Sequence, residues 1–172
     1  MKALRGRGEL VLYLDFDGVL HHENVHRHPR RGIYLEAPPE FTLFQHAALL
    51  ETLLESYPAV RIVLSTSWVR VLGYSRSVKS LPAGLRERVI GATYHSQMNE
   101  RLFTQLPRGV QVLEDVARRE PLDWLAVDDT GAGWPKEHLQ RLVLTDEQLG
   151  LSAPGIQARL DELLKKLAGA QG

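Results

Sequence analysis

Apolar residues fall into two rhythms along this chain. Short, nearly unbroken runs lie at 10–14, 60–64 and 124–127 and are rich in Val, Leu and Ile. A strand covered on both faces shows this signature, because neither face meets water. Shorter runs at 89–92 and 141–144 predict two further strands. A second rhythm, with apolar residues three or four apart, predicts helices. It covers 41–56 (Phe41, Phe44, Leu49, Leu53, ended by Pro58), 109–119 (Val110, Val112, Leu113, Val116) and 156–167 (Ile156, Leu160, Leu163, Leu164, Leu167). A short helix is expected at 85–89. Between the first strand and the first helix, 21–39 is polar and broken by Pro29, Gly32, Pro38 and Pro39. It reads as an irregular loop.

Strands thus alternate with helices. That order predicts an α/β fold: a three-layer, Rossmann-like parallel sheet with helices on both faces. The length of 172 residues suits a single domain, 1–172, with a full core.

Polar clusters follow three of the strands. Asp15 and Asp17 follow the first, with Gly18 next; Ser65, Thr66 and Ser67 follow the second; Asp128 and Asp129 follow the fourth. Parallel strands bring their carboxyl ends to one edge, where ligands of open α/β sheets bind. Paired aspartates in a turn are common as plain solvated acids. Here they end buried strands, where carboxylates repel unless a cation or proton lies between them. A hard cation such as Mg²⁺ suits an all-oxygen set. Gly18 allows a sharp turn and a close ligand approach.

Charge adds little to this picture. Lys and Arg number 21, as do Asp and Glu, so no global field points to nucleic acid or membrane. There is no cysteine, hence no disulfide frame and no thiolate metal site. No apolar run approaches the roughly 20 residues of a membrane span. The basic start lacks the apolar core of a signal peptide. A soluble, cytoplasmic protein is expected, with no membrane partner. The pattern sets no oligomeric state.

DFDGVL after an apolar strand, a hydroxyl-bearing turn after a second, a basic residue upstream of a later strand, and Asp-Asp after that strand resemble the haloacid dehalogenase (HAD) superfamily. The segments LSTSW, IGAT, WLAVDD and VLTDEQLGL look more narrowly like the HAD domains of Swiss Army Knife RNA repair proteins. The resemblance implies a phosphatase. Asp15 would attack phosphorus to give an aspartyl-phosphate. Asp17 would protonate the leaving group and then activate water. Mg²⁺ would be held by Asp15, Asp17 through its backbone carbonyl, and Asp128. Asp129 would ligate through water, or else serve as a turn or cap residue.

Thr66 is the first candidate to hold a phosphoryl oxygen, followed by Ser65, with Ser67 in the same turn. Whichever hydroxyl is not used there is expected to cap the following helix. Arg108 is the candidate for offsetting phosphoryl charge, with Lys79 and Arg101 as rivals. The family more often has Lys at that place, and Arg differs in reach and fork geometry.

The gaps between motifs are too short for a separate cap domain. An open crevice admits large substrates, and RNA or other nucleic-acid ends fit that expectation. His21, His22, His26 and His28, with Arg27, Arg30 and Arg31, make the first loop basic. Such a loop could hold phosphates, or be a solvated flap. The alternatives to a phosphatase are a module that binds phosphorylated ends without turnover, and a phosphotransferase with a non-water acceptor. Trp68, Trp124 and Trp134 read as core or rim.

Overall fold

The computed structural model describes residues 4–170. Five strands form one parallel sheet: β1 (Leu10–Leu14), β4 (Val60–Leu64), β5 (Val89–Ala92), β6 (Asp123–Asp128) and β7 (Leu142–Leu144). Their order is β5-β4-β1-β6-β7. The chain builds outward from β1 on one side, then returns to its other side. β1 therefore flanks the switch point, where ligands bind in such sheets. Its partners are in register from Leu10 against Val60 and Asp123 to Leu14 against Leu64 and Val127.

Residues of β1 alternate between two cores. Leu10, Leu12 and Leu14 pack with α1 (Ala47–Leu54) and α7 (Ile156–Gly169) through Leu50, Leu54, Leu160 and Leu164. Val11 and Tyr13 face Val112 of α6 (Arg108–Arg119) and Trp124. Each fully buried leucine contributes about 1.5–3 kcal/mol. One polar tie crosses the second core. The Tyr13 hydroxyl donates to Asp115 at 2.8 Å, and Arg119 Nε donates to the same carboxylate at 2.7 Å. It fastens the far end of α6 to β1. At the near end, Gly109 N–H donates to the Ala132 carbonyl at 2.9 Å. Only a glycine allows that approach, since a Cβ on Gly109 would lie 2.5 Å from the Gly133 carbonyl carbon. Both anchors place Arg108 above the carboxyl end of β1.

Two expectations are corrected. The segment 21–39 is not irregular. It contains an antiparallel hairpin, β2 (Val25–His28) and β3 (Gly32–Leu35), with Gly32 in the left-handed region. β2 is polar and largely exposed, so no apolar run announces it, and the apolar Ile33, Tyr34 and Leu35 of β3 are hemmed in by the breakers Gly32 and Pro38. The first helix starts at Ala47 rather than at 41. Phe44 has φ 58°, and His46 N–H is taken by the Leu20 carbonyl, so residues 43–46 form turns rather than helix. Between β4 and β5 lie three short helices: α2 (Ser67–Leu72), α3 (Tyr74–Lys79) and α4 (Ala83–Arg86). Of these elements, the hairpin and α2 line a cavity with Asp17 beside the carboxyl end of β1. α5 (Glu100–Gln105) and a 3-10 helix, Lys136–Arg141, complete the described elements. Among the described residues no helix is long and apolar enough to cross a membrane.

Candidate active site

The carboxyl ends of β1, β4 and β6 converge, as parallel pairing requires. Asp15, Asp128 and Asp129 each offer a carboxylate oxygen, all within 4.8 Å of one another. Asp15 and Asp128 are buried and Asp129 partly so. Arg108 Nη1 lies 3.4 Å from Asp15 Oδ1, 3.7 Å from Asp128 Oδ2 and 3.4 Å from Ser65 Oγ. Lys79 and Arg101 are exposed on α3 and α5. Neither has an ion pair to the site.

Burial drives the electrostatics. Desolvation pushes the Asp15 carboxyl well above its ordinary range, and Asp128, Asp129 and Asp17 push it further, against Arg108. Asp128 is pushed up to about 7, mainly by desolvation, with Arg108 and the Thr130 N–H opposing. Asp129 is raised by the same cause. For Arg108, desolvation works against the charge, but Asp15, Asp128, Asp129 and Asp17 together hold it above the usual value. One guanidinium does not balance three clustered carboxylates. Protons or a divalent cation must supply the rest. The donors are all hard oxygens, so the cluster fits a cation of the Mg²⁺ kind.

Gly18 owes its place to Asp129. It has φ +73°, and a Cβ there would fall 2.1 Å from Asp129 Oδ2. The Thr145 hydroxyl donates to its carbonyl at 2.7 Å. In the β4 turn the two leading hydroxyls divide. Thr66 Oγ1 accepts from Trp68 N–H at 3.3 Å and caps α2, whereas Ser65 Oγ faces Arg108. Ser67 is exposed and lies between two cavities. One, of about 180 Å³, is lined by Thr66, Arg70, Phe103 and Arg108. The other, of about 130 Å³, runs from Asp17 between α2 and the hairpin, past His26, Arg27, Trp68 and Val71.

Asp17 stands apart from the acidic cluster. Its Oδ1 accepts from Trp68 Nε1 and meets His21 Nε2, each at 2.8 Å. The sequence pattern marks neither partner: it reads His21 as part of a polar loop and Trp68 as core or rim. In the structure His21 and His22 are buried, and only His26 and His28 of the four are exposed. The available signal was the apolar pair Val19-Leu20 running straight into His21.

The sequence model for the HAD domain in Swiss Army Knife RNA repair proteins matches residues 11–156. The chain belongs to this family. No curated protein matches it. The matched span runs from the second residue of β1 past β7 and holds every site residue named above, so the HAD assignment and the parallel α/β sheet agree. At the general level, HAD membership supports phosphatase or phosphotransferase chemistry.

Proposed function

We propose that this HAD domain is a Mg²⁺-dependent phosphate monoester hydrolase that works through an aspartyl-phosphate on Asp15. One observation carries the reading. The Asp15 carboxylate is buried against Asp128 and Asp129, with the Arg108 guanidinium beside both Asp15 and Asp128. A nucleophile so placed meets phosphorus beside a guanidinium and beside the carboxylates that would hold a divalent cation.

Asp15 attacks phosphorus, and the bond from phosphorus to the leaving oxygen breaks. Asp17 gives its proton to that oxygen. Water then attacks the phosphorus of the acyl phosphate, Asp17 takes a proton back, and phosphate leaves with the Asp15 carboxylate restored. Arg108 offsets charge on the phosphoryl oxygens, and Ser65 donates its hydroxyl to one of them, with Thr66 beside it. Mg²⁺, held by Asp15, Asp128, Asp129 and the Asp17 carbonyl, would neutralise charge between nucleophile and phosphate.

Since Asp17 serves the leaving group, that group lies on the Asp17 side, in the cavity beside the hairpin. Arg27, Arg30 and Arg31 stand on this hairpin, and the family description names RNA repair. Both support phosphorylated nucleic-acid ends as substrates.

The test uses an aryl phosphate with Mg²⁺ and with EDTA, and mass spectrometry of the acid-quenched enzyme. Turnover with Mg²⁺ alone, and a phosphate adduct on Asp15 that is absent from Asp15→Asn, are expected. Metal binding without turnover on any ester would instead support a binding module.

A further inference from the structure

Asp17 is held by two donors on one oxygen. Trp68 Nε1–H and His21 Nε2 both reach Oδ1 at 2.8 Å. The His21 ring is fully buried, and its Nδ1 accepts the Phe44 N–H at 3.1 Å. An accepting Nδ1 fixes the tautomer, so the ring is neutral and its hydrogen sits on Nε2, directed at Asp17. Oδ2 is then the oxygen left to carry a proton. Asp17 is 29% exposed at its side chain and lines the hairpin cavity, so it remains open to a substrate.

Both donors are locked by aromatic packing. His21 meets the Phe44 ring edge-on with centroids 4.8 Å apart, Phe44 meets Trp68 at 5.1 Å, and Phe16 meets Trp68 at 5.6 Å. The backbone of Phe44 is bent to serve this seat. Its φ of 58° is a left-handed conformation that a bulky residue rarely adopts. Strain of this kind persists only where surroundings impose it. Here it interrupts the helix expected from 41, and it aims the Phe44 N–H at His21.

We propose that His21 and Trp68 are positioning residues that dedicate Oδ1 of Asp17 to the protein and reserve Oδ2 for the leaving oxygen. Both donors point at Oδ1, so Oδ2 is left free to face the leaving oxygen. This inference rests on the general acid role of Asp17 stated above.

The experiment compares kcat/KM on two esters with Mg²⁺: 4-nitrophenyl phosphate, whose leaving group needs no proton, and 2-phenylethyl phosphate, whose leaving group does. Trp68→Phe keeps the ring and removes the donor. It should lose about tenfold or more on the alkyl ester and stay within about threefold on the aryl ester. His21→Gln retains a donor near the place of Nε2 and should keep the parental ratio. His21→Asn keeps an acceptor for the Phe44 N–H but loses the donor to Asp17, and should shift the ratio as Trp68→Phe does. Melting curves verify folding, and Trp68→Phe carries the test if the histidine variants do not fold. Equal losses on both esters, or identical ratios for the Gln and Asn variants, overturn the positioning role. Asp17→Asn separates the two readings. If it discriminates the esters and Trp68→Phe does not, only the clamp fails. If the parent hydrolyses neither ester, or Asp17→Asn matches the parent, the phosphatase reading and the clamp fall together.

Discussion

Arg108 Nη1 sits 3.4 Å from Asp15 Oδ1, and it is the cation that the structure places among the clustered carboxylates. The contact is too long for a tight salt bridge, and the same nitrogen also lies near Asp128 and Ser65. Arg108 is thus shared rather than committed to one partner, which leaves it able to turn to a phosphoryl group. Arg108→Ala should lower kcat/KM by about 10²–10³-fold, the range for losing a preorganised donor to developing charge. Arg108→Lys keeps the charge but not the fork, and should fall between. Steady-state kinetics on an aryl phosphate check both. An unchanged Arg108→Ala would transfer the role to another cation.

Gly18 and Asp129 predict a coupling that two single variants cannot show. A Cβ at Gly18 would overlap Asp129 Oδ2 and come within 2.7 Å of Asp129 Cβ. Gly18→Ala should weaken Mg²⁺ binding by about tenfold or more, as displaced supporting contacts do at metal sites. It should also cost about 1–2 kcal/mol, because φ is +73°. Asp129→Gly removes the clashing atoms. In that background Gly18→Ala should cost only the backbone term. A double-mutant cycle on calorimetric Mg²⁺ affinity reads the difference. Additive effects would show that Asp129 moves aside freely.

Much of this site is legible in the sequence, for a physical reason. β1, β4 and β6 are buried, so their apolar runs mark their bounds to within a residue, and the acids and hydroxyls at their ends fall on the ligand edge. Arg108 is legible through its place before a helix with a clear apolar face. The hairpin is not, because His26, Arg27 and His28 face solvent and leave no alternation to read. Nor is the start of α1. Periodicity marks Phe41 and Phe44 as helical, yet tertiary contact with His21 and Trp68 overrides it. The clamp on Asp17 joins residues 51 apart in sequence and depends on that override.

The raised carboxyls give the metal-free protein an unusual pH response. Asp128 has a folded-state pKa of about 7, far above its ordinary value. The folded state therefore holds the proton more tightly than the unfolded chain. Its contribution to stability is full below the ordinary carboxylate range and is lost as pH rises through about 7. Asp15 and Asp129 are shifted in the same direction. His46 is lowered, mainly by burial, so it acts in the opposite sense. Asp128→Asn keeps the His46 effect and deletes the Asp128 one. Between pH 5.5 and 8 with EDTA, the parent should lose at least about 3 °C in Tm relative to that variant. Mg²⁺ binds the ionised carboxylates, so its stabilising shift should be larger at pH 8 than at pH 5.5. A metal shift independent of pH would place Mg²⁺ elsewhere.

With Asp17 as the group that serves the leaving oxygen, the hairpin beside it is expected to bear on substrate size. Arg27 Nη1 donates to the Val71 carbonyl at 3.3 Å, which docks the hairpin on α2 and closes the cavity that starts at Asp17. Arg30 and Arg31 lie in the turn beyond it, both exposed, with the Arg31 guanidinium 5.2 Å from the Tyr34 ring centroid. A nucleotide leaving from the Asp17 side would carry its neighbouring phosphates toward this turn. End-phosphorylated oligonucleotides should therefore be hydrolysed better than mononucleotides, and the advantage should fade as salt rises, because each phosphate contact releases counterions. Arg30→Ala with Arg31→Ala removes charge without undocking the hairpin. It should lower oligonucleotide kcat/KM and its salt slope while leaving the aryl phosphate unchanged. Adding Arg27→Ala should widen the cavity and affect small esters as well. The measurement is kcat/KM against salt for the three substrates and both variants. If mononucleotides win at every salt concentration and the double variant matches the parent, the turn holds no phosphates and the nucleic-acid reading falls.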